Sequence, residues 1–227
     1  MNIRYLGHSA FALEHDGTTV LVDPFLTGNP KAAATADELS ADAILVTHGH
    51  ADHVGDTVAI AKRTGATVVA ITELAGELGE DLGADHDVRD PNLGGTVELD
   101  WGSVRLMPAW HTSTTPKGMV NTPAGLVIEF GGKRIYHPGD TALFSDLALA
   151  GKRGRLDATL LCIGGHYTMD RFDAVEAARL IGADLVVPCH YNTFPLIETD
   201  AEAFKSDVQQ AGIAEVAVLD PGQEHSL

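Results

Sequence analysis

Cysteine is almost missing from this chain of 227 residues: Cys162 and Cys189 are the only two. So small a number excludes a disulfide framework. Long apolar runs are missing too, since no segment approaches the roughly 18 consecutive apolar residues of a membrane span. The opening MNIRYLGHSAF has no basic stretch leading into an apolar one. No secretory leader is therefore expected, and the cytoplasm is the expected compartment. Lysine is scarce, with 6 against 20 Asp, and 15 Lys+Arg face 32 Asp+Glu for a net charge of −17. Nucleic acids and anionic membranes are polyanions, and this balance disfavours both as partners. A solvated acidic surface that aids solubility is the expected reading, with salt adaptation left open. The glycine pairs at 94–95, 131–132 and 164–165 lack the spacing of a nucleotide-binding loop and are expected as turns. An apolar fraction of 44% with 21% charged residues fits a globular chain, expected as one domain over residues 1–227. A small-molecule substrate remains as partner, and a homo-oligomer stays open.

What the chain does have is histidine in one place. The stretch VTHGHADHVGD, residues 46–56, holds three His and two Asp. It follows the apolar run AILV, expected as a buried strand. Elsewhere IRYLGHSAFAL is expected as one strand, HDGT as a turn and TVLVD as its partner. Residues 26–40 form a polar, Ala-rich connection. TVVAI, DATLLCIG, LVVPCH and EVAVLD are expected strands. Hairpins are expected to turn at Trp101–Gly102 and Gly131–Gly132. Helices are expected over 56–65, 73–83, 142–150, 173–181 and 200–211. Hairpins mixed with strand–helix units in both halves suggest an α/β (α+β) chain of two mixed sheets flanked by helices, not one doubly wound parallel sheet.

The cluster reads His-x-His-x-Asp-His: His48, His50, Asp52, His53. On a loop, His48 and His50 can serve one metal ion while Asp52 and His53 serve another. Imidazole with carboxylate suits Zn²⁺ and similar divalent ions. Four residues cannot complete two sites, so further ligands are required downstream at strand ends. His111 ends VRLMPAWH, Asp140 sits in YHPGDT, and His190 closes LVVPCH; each follows an apolar strand-like run.

Together with Asp23 in LVDPF, these pieces resemble a metallo-β-lactamase-fold hydrolase. GHSAF, DPF, GGHYTMD and HYNTFP resemble a group of metal-dependent hydrolases of unassigned substrate, similar to L-ascorbate-6-phosphate lactonase and more distantly to N-acyl-phosphatidylethanolamine phospholipase D. The resemblance implies an αββα four-layer sandwich with a dinuclear site at the sheet edges. It implies Asp140 as the bridge, one site of His48, His50, His111 and Asp140, and another of Asp52, His53, Asp140 and His190. It implies two divalent ions, Zn²⁺ first and Mn²⁺ second. Such a pair at roughly 3.5–4 Å lowers the pKa of a shared water, and the resulting hydroxide cleaves an ester-type bond, a lactone or a phosphodiester. Asp23 is implied as a support of the histidine loop, since carboxylates of that kind orient imidazoles.

Other residues are weighed individually. Asp52 and His166 are the catalytic candidates; His166 lies on a loop after an expected strand, where function concentrates. His8, Tyr167, Tyr191 and Asn192 are candidate substrate contacts, His8 being as well read as structural. His137 is read as structural, and the cysteines as small buried thiols. Loop 112–124, rich in hydroxyls and carrying Lys117, is either an anion site or a solvated loop. Two other classes stay open: a non-catalytic metal-binding scaffold, and a flavodiiron-type redox protein. His50 stands where the latter has an acidic ligand, and no flavin domain is evident.

Overall fold

A computed structural model describes residues 1–227. In chain order its strands are β1 (Asn2–Gly7), β2 (Ala10–His15), β3 (Thr18–Val22), β4 (Ala43–Leu45), β5 (Thr67–Val69), β6 (Val88–Arg89), β7 (Thr96–Leu99), β8 (Gly102–Pro108), β9 (Ala124–Phe130), β10 (Lys133–His137), β11 (Ala158–Cys162), β12 (Leu185–Cys189), β13 (Glu215–Val216) and β14 (Glu224–Ser226). The helices are α1 (Ala51–Val54), α2 (Thr57–Thr64), α3 (Thr72–Leu82), α4 (Arg171–Ile181) and α5 (Ala201–Gln210). No helix is long and apolar enough to cross a membrane.

The strands form two sheets, ordered β14-β1-β2-β3-β4-β5-β6 and β13-β12-β11-β10-β9-β8-β7. Each is antiparallel over its hairpins and parallel beyond β3 or β10. The inner parallel strands β4, β11 and β12 are buried along their whole length, as strands covered on both faces must be. One apolar cluster joins Leu13, Leu21 and Ile44 of the first sheet to Leu106, Ile128 and Leu160 of the second. The outer faces are closed by helices. Ile60 of α2 and Leu74 of α3 join that cluster, whereas α4 presents Ala174, Ala177, Ala178 and Ile181 to a second one beside Leu161 and Val186. The spacing of that stripe is one helical face. Two mixed sheets between helices are the sandwich expected from the sequence.

Three expectations need correction. IRYLGHSAFAL is two strands, not one: the chain reverses at Gly7–Ser9, with His8 at φ 59°. The break Gly7-His8-Ser9 between the apolar pairs Tyr5-Leu6 and Ala10-Phe11 marks the turn, and reading the segment as one strand overlooks it. The segment 142–150 is instead a 3₁₀ helix over Ser145–Arg153. The first hairpin of the second sheet turns at Asp100–Trp101, because Leu99 lies opposite Gly102. Gly131–Gly132 does turn as expected, at φ 58° and 71°, the paired positive values that a two-residue hairpin loop needs. The short strands β6 and β14 carry no sequence signal of their own.

Register places the chemistry. Phe11 faces Val22 and Val22 faces Leu45, so the β1–β2 turn and the ends of β3 and β4 share one edge of the first sheet. In the second sheet Leu126 faces His137 and Cys162 faces Cys189, which aligns the ends of β10, β11 and β12. The two edges are stitched together by backbone hydrogen bonds: Ala124 N donates to Thr47 O at 3.0 Å, and His190 N donates to His8 O at 2.8 Å.

Candidate metal centre

The centre is built outward from Asp23, which is fully buried. Its Oδ1 accepts the backbone N–H of Thr47 at 2.8 Å, and its Oδ2 accepts the Thr47 hydroxyl at 2.7 Å. That hydroxyl has one proton, so it accepts from His48 Nδ1 at 3.0 Å. The Nε2 lone pair of His48 then points into the cluster, 3.0 Å from His50 Nδ1. Asp23 Oδ2 also accepts from His53 Nδ1 at 2.8 Å, which frees His53 Nε2 on the opposite side of the ring. One carboxylate thus orients two imidazoles. His137, fully buried, bonds Leu160 O through Nδ1 and faces Asp23 from 3.7 Å, a structural position as expected.

Asp52 and His53 fall in the short helix α1, not on an open loop as expected, and His50 caps its start. A helical turn separates the directions of these side chains from that of His48. From the second sheet, Asp140 Oδ2 lies 3.0 Å from His190 Nε2, 3.4 Å from His53 Nε2 and 3.7 Å from His111 Nε2. The donor atoms of His48, His50 and His111 lie within 4.8 Å of one another, as do those of His48, His53 and Asp140, and those of His8, Asp52, His53 and His190. The seven ligand candidates therefore converge, and His8 joins them.

His8 is completely buried, so it cannot line a substrate surface. Its Nε2 donates to Asp52 Oδ2 at 3.1 Å while Nδ1 accepts from Thr193 Oγ1 at 2.9 Å. Burial pushes its imidazole down to about 4 against the pull of Asp52, so the ring is neutral at pH 7. Burial alone would raise the Asp52 carboxyl, but the His8 hydrogen bond and the nearby His53 hold it below the usual carboxylate range. Burial would likewise lower His53, yet Asp140 and Asp23 outweigh it and raise that imidazole well above its ordinary value. Asp140 is held well below the carboxylate range, its burial outweighed by His190 and His53.

The donor set fits metal ions. His53 Nε2, both ring nitrogens of His190 and Asp140 Oδ1 are buried without a hydrogen-bond partner. Each such atom costs roughly 1–3 kcal/mol unless something satisfies it. The Nε2 atoms of His53 and His190 lie 3.4 and 3.0 Å from Asp140 Oδ2, close enough for a divalent cation to take one lone pair from each ring. Imidazoles with two carboxylates suit Zn²⁺.

Backbone strain gathers in the same place. Six non-glycine residues have positive φ, and five of them, His8, Asp23, His166, His190 and Asn192, are residues that the sequence singles out. Conformations of this kind cost about 1–3 kcal/mol and persist where surrounding structure enforces them.

Above the cluster opens a cleft of about 530 Å³, with His50, Asp52, His111, Asp140 and His190 at its base and Thr112, Tyr167, Phe194, Pro195 and Leu196 as walls. Of the candidate substrate contacts, Tyr167 lines this cleft. His166 is exposed, packs edge-on against Tyr167 at 4.5 Å, and does not line the cleft. Tyr191 turns instead toward the second apolar cluster, and the Asn192 side chain accepts from Thr199 N at 2.7 Å, so neither lines the cleft. Loop 112–124 is committed to the protein. Ser113 Oγ and Asn121 Oδ1 accept from Gly49 N at 2.8 and 3.2 Å, and Lys117 is bound to Asp81. Both cysteines are buried, and burial pushes the Cys162 thiol up to about 12, so neither is a nucleophile. The walls Phe194–Leu196 were missed, although HYNTFP is conspicuous for carrying Phe and Pro just after a ligand candidate.

A family model described as a β-lactamase superfamily domain matches residues 2–190. The chain belongs to the metallo-β-lactamase superfamily. It belongs there with the UPF0173 metal-dependent hydrolases: one from Thermus thermophilus is 49% identical over 98% of this chain and 97% of its own. Another, from Methanopyrus kandleri, is 44% identical over 99% of both. Among solved structures, a metallo hydrolase from the archaeon Ignicoccus hospitalis superposes with a TM-score of 0.89 at 37% identity, covering 99% of this chain and 97% of that one.

Proposed function

We propose that this metallo-β-lactamase-fold protein is a metal-dependent hydrolase that cleaves an ester-type bond, a lactone or a phosphodiester, in a small substrate. The observation that carries this reading is the set of buried, partnerless atoms on His53, Asp140 and His190 directly beneath an open cleft. His48, His50 and His111 would hold one ion, and Asp52, His53 and His190 a second, with Asp140 between them. When bound, two divalent ions, Zn²⁺ or alternatively Mn²⁺, would lower the pKa of water toward about 7 and polarise the oxygen of the scissile bond. Asp52, accepting from buried His8, is fixed in orientation at the base of the cleft. Asp23 holds His48 and His53 in the orientation that turns each Nε2 inward. His166, outside the cleft, would act only through the loop it shares with Tyr167. Elemental analysis of protein purified without chelator, followed by a panel of lactones and phosphodiesters, tests the reading. About two ions per chain and turnover of at least one class are expected. Protein that stays free of metal after incubation with excess ion, or that holds it without turnover, contradicts it.

A further inference from the structure

The cleft walls bear on the substrate independently of the cluster beneath. No lysine or arginine lines the cleft. Leu196 and Tyr167 are 57% and 53% exposed, and Phe194 completes an apolar wall, its ring centroid 5.6 Å from that of His8. Lys117 is engaged by Asp81, and Arg171 by Asp207 and the face of Phe172, 4.1 Å away. The chain as a whole carries −17. Ions at the base would neutralise charge only at the reacting bond. A second anionic group, remote from that bond, would lose water in the cleft and find no cation, which is costly. An alkyl chain or ring would instead cover exposed apolar wall, which is favourable.

We propose that the substrate is an uncharged lactone or ester with an apolar body, its carbonyl over the histidine cluster and its chain along Phe194, Pro195 and Leu196. This rests on the hydrolytic reading of the same site, and it sets aside phosphorylated sugar lactones. Water adds across the acyl C–O bond. Its oxygen joins the carbonyl carbon, the ring or alkoxy oxygen leaves bearing a proton, and the product is a carboxylate with one proton released to solvent.

The test compares metal-loaded protein on γ-lactones from butyrolactone to decanolactone, and on glucono-δ-lactone against its 6-phosphate. The value of kcat/KM should rise about fourfold per methylene until the wall is covered. The phosphorylated lactone should be at least tenfold poorer than the neutral one. Leu196→Ala should flatten the chain-length slope, and Leu196→Lys should narrow the phosphate discrimination. A preference for the phosphorylated lactone, or rates independent of chain length, would overturn the proposal. Binding of octanamide and butanamide by calorimetry separates substrate class from catalysis. Octanamide at least tenfold tighter, with that margin reduced in Leu196→Lys, supports the apolar cleft even if no lactone turns over, in which case only the hydrolytic reading falls. Equal binding of the two amides overturns the apolar cleft.

Discussion

Asp23 Oδ2 lies 2.8 Å from His53 Nδ1, both side chains fully buried and 30 residues apart in sequence. The same carboxylate anchors Thr47, and through it His48. Asp23→Asn keeps the shape but turns one acceptor into a donor, so either Thr47 or His53 loses its partner. Metal affinity should fall by about 10–100-fold, the usual loss when an orienting group is removed. Competition with a chelating dye measures it, and unchanged affinity would show that Asp23 serves the fold alone.

Asp52→Ala and His190→Ala remove donors from the ends of elements and leave the apolar clusters intact. Each should reduce metal content by one ion per chain and bring hydrolysis to background while the circular dichroism spectrum is kept. Wild-type turnover in either variant would remove that residue from the site.

Gly49 has no room for a methyl group. A Cβ there would lie 2.4 Å from Asn121 Nδ2 and 2.8 Å from Thr115 Cγ2. Gly49→Ala should therefore push the His48–His50 segment away from loop 112–124 at a cost of about 1–3 kcal/mol, as overpacking does. Thermal unfolding should shift down by several degrees, and metal should bind more weakly. If only the melting temperature moves, the loop is a brace for stability and not for ligand geometry.

Metal uptake should release protons. Burial works against charge on His53, but Asp140 and Asp23 raise its imidazole well above the ordinary value, so at pH 7 it carries a proton that an ion must displace. Below that raised pKa, affinity should climb about tenfold per pH unit for each proton displaced, and acidification should strip the metal. Calorimetric titration in buffers of different ionisation enthalpy counts the protons; a heat independent of buffer would refute the prediction.

Tyr167 lines the cleft and its neighbour His166 does not. Tyr167→Ala should raise KM several-fold, whereas His166→Ala should leave metal content intact and lower turnover less. The opposite ranking would restore His166 to a place beside the reacting atoms.

The ligand candidates were legible because metal chemistry restricts residue type and because several follow apolar runs, as at AILVT before His48 and LVVPC before His190. Two mixed sheets flanked by helices were legible because hairpins and strand–helix units recur in both halves of the sequence. The role of His8 was not. Its partners Asp52 and Thr193 lie 44 and 185 residues away, beyond the reach of any local pattern. Tyr191 and Asn192 misled by adjacency: a residue next to a ligand candidate on an irregular segment turns away as readily as it turns in. The use of Ser113 and Asn121 on Gly49 depends on how two loops meet, which no local pattern encodes.

Each sheet repeats one plan, hairpins followed by parallel strands with helices outside. The working parts are not distributed in the same even way. His8, His48, His50, Asp52 and His53 come from the first sheet's edge, and His111, Asp140 and His190 from the second's. Two architecturally equivalent halves are therefore chemically incomplete in complementary ways. Neither could be discarded, exchanged for a copy of the other, or allowed to drift on its own without dissolving the centre that lies across their seam.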